Sequence, residues 1–218
     1  MPFIDRRDAG RQLAAALAHY RTKQAFVLAL PRGGVPVAAE IATALKAPLD
    51  LVLVRKIGVP YQPELAMGAV ADAGVPLVVR NDEVIALARI EESEFDAVCD
   101  AELAEIERRR KRYLGQRRRA DVAGRVAIVV DDGIATGATT RAALRATRLR
   151  RPKELVLAIP VAPTDALAAM RQEADHVVCL EDYEPFGAIG LYYSDFRQVS
   201  DREVIETLAR FRAIAYSD

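Results

Sequence analysis

The sequence predicts an α/β fold built on a doubly wound, mostly parallel sheet. Short apolar runs recur along the chain, and several lead into a glycine-containing turn and then into a segment of helical periodicity. A strand, a turn, a helix and a second strand form a βαβ unit, which requires parallel strands and a crossover connection. Because the unit occurs around residues 25–54 and again around 126–180, we expect both halves to contribute to the sheet.

Each element is predicted from its own periodicity. Leu13, Leu17 and Tyr20 recur at helical spacing, so residues 5–22 are predicted to open the chain with an amphipathic helix. A continuous apolar run at 25–30 predicts a buried strand, and the face formed by Val37 and Ile41 predicts the helix after it. The remaining predicted strands are 49–54, 126–130, 155–161 and 176–180, and the remaining predicted helices are 137–150, 164–171 and 204–214.

The elements fit one domain over residues 1–218. Pro and Gly interrupt residues 58–68, which predicts a loop, and a charged stretch from about 81 to 112 has helical character. The expected parts are a core at about 24–57 and 120–180, a flexible loop with a charged helical insertion at about 58–119, and a small C-terminal hood with a helix at about 181–218.

Composition excludes several classes of protein. Lys plus Arg equals Asp plus Glu, at 31 each, so the overall charge gives no support to binding of nucleic acid or acidic membranes. Cys99 and Cys179 are separate thiols without a nearby His pair, so neither a disulfide framework nor a zinc site follows. Because no apolar run is long enough to span a bilayer or to form a signal core, a soluble cytoplasmic protein is expected.

The most informative stretch is residues 129–141. An apolar strand leads into two adjacent carboxylates, Asp131 and Asp132, and then into a turn of small and hydroxylic residues that begins a helix. Main-chain N–H groups at a helix N-terminus form an anion site that suits a phosphate monoester. Adjacent carboxylates need neutralising partners, and the vicinal hydroxyls of a ribose would donate to them. The turn residues predicted to hold a ribose 5-phosphate with the two aspartates are Gly133, Ala135, Thr136, Gly137, Ala138, Thr139 and Thr140.

Other interpretations of this stretch explain less. A pair of aspartates that only caps a helix accounts for neither the two glycines, Gly133 and Gly137, nor the run of hydroxyls. A Walker-type phosphate loop is excluded because no Gly-Lys-Ser/Thr follows the turn, and a dinucleotide fingerprint is excluded because no GxGxxG follows a strand.

The segment from Asp131 to Thr139 resembles the PRPP-binding signature of type I phosphoribosyltransferases: an apolar strand, two acidic residues, two variable residues and a small-residue Thr-Gly turn. The resemblance covers most of the chain and implies the type I phosphoribosyltransferase fold. It extends to a bacterial group of predicted phosphoribosyltransferases with the same Arg-Gly-Gly, Arg-Lys-x-Gly and Tyr-x-Asp-Phe elements. By this likeness Asp131 and Asp132 contact the ribose hydroxyls, and residues 135–140 enclose the 5-phosphate.

Two other strand ends resemble further parts of the family's site. The turn after the first strand resembles the pyrophosphate loop, where an unusual peptide conformation is common; Arg32 would add a forked cationic donor, and Gly33 and Gly34 would allow close approach. Arg55 and Lys56 follow a predicted strand, at the start of the segment that resembles the flexible catalytic loop. Alone, these cations would be interpreted as surface charges, but beside two phosphate-binding motifs they are predicted to contact diphosphate oxygens.

The motifs do not identify the acceptor. The family's 6-oxopurine enzymes carry an Asp where this chain has Ala135, whereas its adenine enzymes carry Ala there and use a Glu of the flexible loop. Glu64 is the candidate for that role in this chain. In the hood, Tyr192, Tyr193 and Phe196 either stack on a base or pack the hood against the sheet, and both interpretations stay open.

The resemblance implies transfer of 5-phosphoribose from PRPP to a nitrogenous acceptor, such as a purine base, with release of pyrophosphate. The expected catalytic residues are Asp131, Asp132, Arg55, Lys56 and Glu64. The expected cofactor is Mg²⁺, bound mainly through PRPP, so no metal ligand is predicted in the chain. The expected partners are PRPP and a small acceptor in a cytoplasmic homodimer, with no membrane or nucleic-acid partner.

Two alternatives remain at the level of sequence. The chain could be a PRPP or nucleotide sensor without robust transferase activity that binds RNA through the basic residues 108–112 and 117–119, as the family's pyrimidine attenuation proteins do. Acidic residues three and four positions before this run, such as Glu105, favour a solvated helix face with internal ion pairs instead. The second alternative is an unrelated flavodoxin-like binding module without affinity for PRPP.

Overall fold

Two sheets organise the chain. The computed structural model describes residues 2–72, 76–117 and 119–211. In chain order the helices are α1 Arg6–Ala16, α2 Gly34–Leu45, α3 Asp82–Ala88, α4 Glu92–Leu114, α5 Ala138–Leu149, α6 Thr164–Met170 and α7 Asp201–Ala209. The strands are β1 Ala25–Ala29, β2 Leu49–Leu51, β3 Val54–Val59, β4 Gln62–Asp72, β5 Pro76–Arg80, β6 Val126–Val130, β7 Glu154–Pro163 and β8 His176–Tyr183.

The larger sheet has five parallel strands in the order β2-β1-β6-β7-β8. β1 and β6 lie side by side, with Ala29 opposite Val130, although they are far apart along the chain. From β1 the chain moves outward to β2, and from β6 it moves outward in the other direction through β7 to β8. The switch point of the sheet therefore lies between β1 and β6. This topology confirms the predicted doubly wound, mostly parallel α/β fold.

The central strands are buried on both faces, which explains why their sequences are continuous apolar runs. Val27 and Ala29 of β1 belong to the core that α1 and α2 cover, whereas Phe26 and Leu28 belong to the core that α5 and α6 cover. Full burial of each large apolar side chain stabilises the fold by about 1.5–3 kcal/mol. The turns at the carboxyl edge of the sheet are therefore attached to its best-packed strands.

The segment after β2 differs from the prediction of one strand at 49–54 and a flexible loop at 58–68. β2 ends at Leu51, β3 begins at Val54, and β3, β4 and β5 form a separate antiparallel sheet. Gly58 and Pro63 do not break the β3–β4 hairpin because they meet at its bulge, where the pairing register shifts. A Cβ atom on Gly58 would lie 2.5 Å from Pro63 O, so the hairpin depends on the missing side chain.

The charged stretch predicted at 81–112 contains two helices. Asn81 caps α3 by accepting a hydrogen bond from Val84 N at 3.3 Å, and Arg89, at φ 54°, ends it. α4 begins beyond Arg89, packs against β3 and β4, and places Phe95 and Ile106 in the core to which α2 also contributes. Of the helices in the described ranges, none combines the length and the apolarity needed to cross a membrane.

The last helix begins earlier than predicted. α7 starts at Asp201 rather than at 204, because Ser200 and Glu203 form a reciprocal capping box in front of it. It ends at Ala209, and the predicted continuation over 212–214 lies outside the described residues. The hood is joined to the start of the chain by a parallel bridge between Phe3 and Tyr193.

Candidate functional site

The turn after β1 and the turn after β6 touch each other. Leu30 N donates to Val130 O at 2.9 Å, and this bond continues the strand pairing beyond the sheet. A Cβ atom on Gly33 would overlap Asp132 Oδ2, so any other residue at this position would displace the carboxylate. The peptide bond between Pro31 and Arg32 in this turn is cis. The two turns that the sequence singled out separately therefore form one site.

Asp132 has a protein partner that the sequence analysis did not identify. Arg6 Nε donates to Asp132 Oδ2 at 2.7 Å, with only 11% of the Arg6 side chain and 12% of the Asp132 side chain exposed. The sequence alone predicts that the hydroxyls of a sugar neutralise the acidic pair. The guanidinium of α1 already neutralises one member of the pair, so the two aspartates are not equivalent.

The hood holds this ion pair from the other side. Tyr193 Oη donates to the main-chain oxygen of Asp132 at 2.6 Å, and Arg6 Nη1 donates to Arg197 O at 2.8 Å. The guanidinium carbon of Arg6 lies 3.8 Å from the centre of the Phe196 ring, which is a stacking contact. Tyr193 and Phe196 therefore pack the hood onto the site, and the packing interpretation of these two rings is confirmed. Tyr192 stacks between Tyr183 and Phe186 within the hood.

Asp131 is the member of the acidic pair that has no ion pair among the described residues. Its Oδ1 accepts a hydrogen bond from Asp132 N at 2.9 Å. Burial, and then the negative charge of Asp132, raise the pKa of Asp131 well above the ordinary aspartate range, and the Asp132 N–H and Arg6 oppose this shift only in part. A carboxylate held in this way favours a ligand that donates hydrogen bonds to it.

The turn after the acidic pair presents donors at the N-terminus of α5. Gly137 has φ 76° and immediately precedes the helix, a conformation that disfavours residues with side chains. The first main-chain N–H groups of a helix have no acceptor within it, so those of residues 138–140 are available to an anion. Thr136 and Thr139 are exposed and add hydroxyls, whereas Thr140 is only 2% exposed. Thr140 can therefore contribute its N–H but not its hydroxyl.

A cleft of about 540 Å³ joins this turn to the β3–β4 hairpin. Its wall contains Thr139 on one side and Arg55, Lys56 and Glu64 on the other. Arg55 Nε donates to Glu102 Oε2 at 2.5 Å, and Lys56 Nζ lies 3.2 Å from Glu64 Oε2, whose side chain is 97% exposed. The structure thus brings together the predicted hairpin residues and the phosphate turn, and it gives both cations carboxylate partners.

The Arg32 side chain points toward Asp201 and not into the cleft beside Thr139. Its Nη1 lies 3.6 Å from Asp201 Oδ1. Asp201 also accepts from Tyr113 Oη at 2.6 Å and pairs with Arg112 at 2.7 Å, which together lower the pKa of Asp201. The turn after β1 is therefore tied to α4 and α7 through one carboxylate. No pattern in the sequence indicates this link, because Asp201 lies far along the chain.

The basic stretch at 108–119 is largely paired within the chain. Arg108 and Arg109 both bind Glu105, at 2.6 Å and 2.7 Å, which confirms the internal helix pairs expected from the spacing. Arg117 Nη2 donates to Leu49 O at 2.8 Å, and Arg119 pairs with Asp72. Arg118 lies outside the described residues. These pairings leave little of the stretch free to form a basic surface.

A second cavity, of about 810 Å³, lies between α1, α2 and α7. Its wall mixes acidic and basic side chains, for example Glu40 and Glu203 with Arg7 and Arg197. Arg6 is the one residue of the wall that also contacts the acidic pair. The smaller cleft reaches the start of α5 at Thr139, so we regard this turn, the acidic pair that precedes it and the cleft as the candidate site.

Comparison with known proteins agrees with this geometry. Residues 6–195 match the phosphoribosyl transferase domain family. The chain belongs to this family. A putative phosphoribosyl transferase of Mycobacterium tuberculosis is 48% identical over 208 residues, which are 95% of this chain and 46% of that protein. The chain thus spans about half the length of the curated relatives it matches.

Two solved structures are similar in fold to this chain. TT1426 from Thermus thermophilus is 40% identical, with a TM-score of 0.82 over 97% of this chain and 99% of that chain. The AQ2163 protein from Aquifex aeolicus is 10% identical, with a TM-score of 0.51 over 85% of this chain and 78% of that one, and this likeness shows the fold alone. The predicted family and fold are confirmed, and an unrelated flavodoxin-like module is excluded.

In this phosphoribosyl transferase domain, sequence reasoning missed the residues that hold the acidic pair. Arg6 is 126 residues away from Asp132, and one arginine in an amphipathic helix carries no signal of its partner. Tyr193 was considered only as a ring that stacks or packs, whereas its hydroxyl bonds the backbone at the site. Glu102, on the charged helix α4, binds Arg55, which lies 47 residues earlier. Each contact joins elements that are distant in sequence.

The raised pKa of Asp131 makes a prediction about stability. The pKa of Asp131 is higher in the folded state than in the unfolded state. The stability that this carboxyl contributes is therefore complete below its unfolded-state pKa and is lost as pH rises through its folded-state pKa. We therefore expect Asp131→Asn to melt above the wild type at neutral pH, with the difference disappearing at acidic pH. Each kcal/mol gained should raise Tm by about 2–4 °C in a chain of this size.

Thermal unfolding of both proteins from acidic to neutral pH tests this expectation. Asp96→Asn, the same substitution at an exposed position on α4, is the matched control against which the change in Tm is compared. A neutral-pH Tm of Asp131→Asn below that of the wild type would contradict the assigned cause.

The Arg6–Asp132 pair makes a second prediction. Removing one partner of a buried ion pair leaves an uncompensated charge, so Arg6→Met should lower the free energy of unfolding by about 3 kcal/mol. Adding Asp132→Asn removes that charge and should recover part of the loss, measured by urea unfolding as a double-mutant cycle. Losses that simply add in the double variant would show that the two side chains are not coupled.

Proposed function

We propose that the chain transfers 5-phosphoribose from Mg²⁺-bound PRPP to a nitrogenous acceptor and releases pyrophosphate. One observation carries the proposal: the Asp131 carboxylate, which has no ion pair among the described residues, lies at a strand end directly before the exposed hydroxyls and N–H groups that begin α5. A carboxylate beside an anion-binding turn suits a ligand with vicinal hydroxyls and a phosphate.

The residues around Asp131 are assigned to the ribose 5-phosphate. Asp131 would accept hydrogen bonds from the ribose hydroxyls, and Asp132, held by Arg6 through Oδ2, would offer its other oxygen. Gly133 forms the base of the turn. The 5-phosphate would bind the N–H groups and the exposed hydroxyls of the turn, which comprises Ala135, Thr136, Gly137, Ala138, Thr139 and Thr140.

The pyrophosphate group is assigned to the neighbouring turn and the hairpin. Gly33 and Gly34 would let the main chain approach the diphosphate closely. Arg55 and Lys56, which line the cleft with Thr139, would stabilise the charge that develops on the leaving group. Arg32 would join them only by exchanging Asp201 for the diphosphate, because the two side chains are paired in the structure.

Mg²⁺ is proposed to enter as its PRPP complex. Within the described ranges, no group of three or more His, Cys, Asp or Glu side chains lies together in a way that could hold a metal ion. Asp131, without an internal ion pair, is the acidic side chain that could contact the ion or its water, so the donors fit an ion whose other ligands come from substrate and water. Such an ion would neutralise diphosphate charge.

The reaction breaks the bond from C1 of the ribose to the diphosphate and forms a bond from C1 to the acceptor nitrogen. The ribose gains positive charge as the diphosphate leaves, so positioning and cationic side chains supply most of the catalysis. Glu64, exposed in the cleft, is assigned as the base that takes the acceptor's proton. A purine base is the first acceptor to test. A single domain over 1–218 that forms a cytoplasmic homodimer stays a prediction from the family resemblance.

Incubation of the chain with PRPP, Mg²⁺ and a panel of nitrogenous acceptors, followed by assay of pyrophosphate, tests the function. Asp131→Asn should weaken PRPP binding by about 10- to 100-fold, because hydrogen bonds to a charged acceptor are worth about 1.5–3 kcal/mol. Calorimetric titration measures this loss, and circular dichroism verifies the fold. Wild-type chain that binds no PRPP would refute the proposal. Salt-sensitive RNA binding without pyrophosphate release would favour the sensor instead.

The Arg55–Glu102 pair makes a separate prediction. Glu102 competes with the diphosphate for Arg55, so Glu102→Gln should tighten the binding of Mg²⁺-pyrophosphate by about 2- to 5-fold, the range of a partly exposed ion pair. Glu105→Gln is the matched control, since Glu105 lies on the same helix but binds Arg108 and Arg109. If Glu102→Gln weakens pyrophosphate binding, Glu102 positions Arg55 rather than competing for it.

A further inference from the structure

The cavity between α1, α2 and α7 is separate from the cleft that we assign to catalysis. It has a volume of about 810 Å³, and among the described residues it shares no lining residue with that cleft. Sites for small molecules typically measure about 300–1,000 Å³ and combine apolar surface with a few polar groups. The cavity therefore has the volume of a ligand site, and the chemistry of its wall indicates which ligand would fit.

The floor of the cavity is apolar. It consists of buried or half-buried residues of α2 and of the segments that flank α7, namely Pro36, Ala39, Ala42, Val199 and Phe211. Many of the charged side chains of the wall are exposed, so they lie nearer the rim. A ligand that enters between these charges would place its apolar part on the floor and remove apolar surface from water.

Most of the charged side chains around the cavity already have partners within the chain. The partnered groups are Asp5, which accepts from Asp8 N at 2.7 Å, Arg6 with Asp132, Arg197 with Asp195 and Glu203, and Glu206 with Arg202. These groups contribute little net charge to a ligand, because each is neutralised or hydrogen-bonded by its neighbour.

The remaining charged groups of the wall are unequal in sign. Arg7 and Lys46 have no ion pair with any described residue, and Arg210 donates only to a hydroxyl, Thr207 Oγ1, at 3.1 Å. Glu40 is the one carboxylate of the wall without a partner in the described ranges. Three cations against one carboxylate leave the cavity with an excess of about two positive charges, which favours an anion.

Glu40 is half-buried on the α2 side of the cavity. A Cβ atom on Gly10 would lie 2.9 Å from Glu40 Cβ and 2.6 Å from Val37 O, so the absence of a side chain at Gly10 lets α1 approach this part of α2. A half-buried carboxylate without a donor costs free energy, which a ligand with N–H or O–H groups would recover. The cavity thus offers cations, an apolar floor and one hydrogen-bond acceptor.

We propose that this cavity is a second ligand site and that it binds a nucleoside monophosphate. A phosphate monoester carries about 1.5–2 negative charges at neutral pH, which matches the excess charge of Arg7, Lys46 and Arg210. The nucleobase would pack on the apolar floor, and an amino group of the base or a sugar hydroxyl would donate to Glu40. Inorganic phosphate would leave both the floor and Glu40 unused. The inference goes beyond the proposed function, because its residues lie outside the catalytic cleft.

Calorimetric titration with AMP, GMP, CMP and UMP tests this site. The titrations use Asp131→Asn, in which nucleotide binding at the catalytic cleft should be weak. In that background, Arg7→Gln combined with Lys46→Gln should weaken the binding of the preferred nucleotide by about 4- to 25-fold, since each exposed cation accounts for about 2- to 5-fold. Lys153→Gln is the matched control, because Lys153 is exposed but does not line the cavity. It should leave the affinity unchanged.

The outcomes bear on the cavity separately from the proposed function. Absence of nucleotide binding to Asp131→Asn, or binding that the Arg7 and Lys46 substitutions leave intact, overturns the second site. Ribose 5-phosphate or inorganic phosphate that binds as tightly as the nucleotides overturns the assigned ligand class, because the floor would then contribute nothing. Circular dichroism verifies each fold, and Arg210→Gln replaces the double variant if that protein does not fold. Wild-type chain that binds nucleotide in the cavity but no PRPP overturns the proposed function alone.

Discussion

The site depends on the close contact between the turn after β1 and the turn after β6. The parallel pairing of these two strands brings the turns together, and Gly33 leaves the space that the Asp132 carboxylate occupies. Arg6 then reaches Asp132 from α1, and Tyr193 reaches its main-chain oxygen from the hood. A side chain at position 33 would disturb the turn, the ion pair and the hood together. The position of the Asp132 carboxylate therefore depends both on the pairing of β1 with β6 and on the absence of a side chain at Gly33.

Charge pairing distinguishes residues that support the site from residues that remain available to a ligand. Asp132 is neutralised by Arg6, and Arg55 is neutralised by Glu102. In contrast, Asp131 has no ion pair among the described residues, and it precedes the turn at the start of α5. A carboxylate left in this way costs folding free energy, which a ligand with hydroxyl donors would recover. That cost is typical of functional sites, where local rules of stability are relaxed.

The second sheet changes the interpretation of the segment that follows β2. Pro and Gly between 58 and 68 indicated a flexible loop, but the segment is a hairpin in which Gly58 and Pro63 share a bulge. The hairpin carries Arg55, Lys56 and Glu64 and holds them opposite Thr139 across the cleft. The loop predicted from Gly and Pro was wrong because both residues can occupy a β-bulge as well as a loop. Only the strand that pairs with the segment distinguishes the two.

The parallel sheet, the acidic pair and the turn after β6 could all be predicted from the sequence, because each depends on a local pattern: a buried strand, two carboxylates, and small residues at a helix start. Which charges pair became known only from the folded chain. With 31 basic and 31 acidic residues, many partners are available to Arg6, Arg32 or Arg141, and the sequence does not rank them. Arg6 meets Asp132, Arg32 meets Asp201 and Arg141 meets no described carboxylate because the packing of distant helices and strands sets those distances. Strands, turns and helix starts depend on residues that are close in the sequence. Ion pairs between distant segments depend on tertiary packing, so only the folded structure shows them.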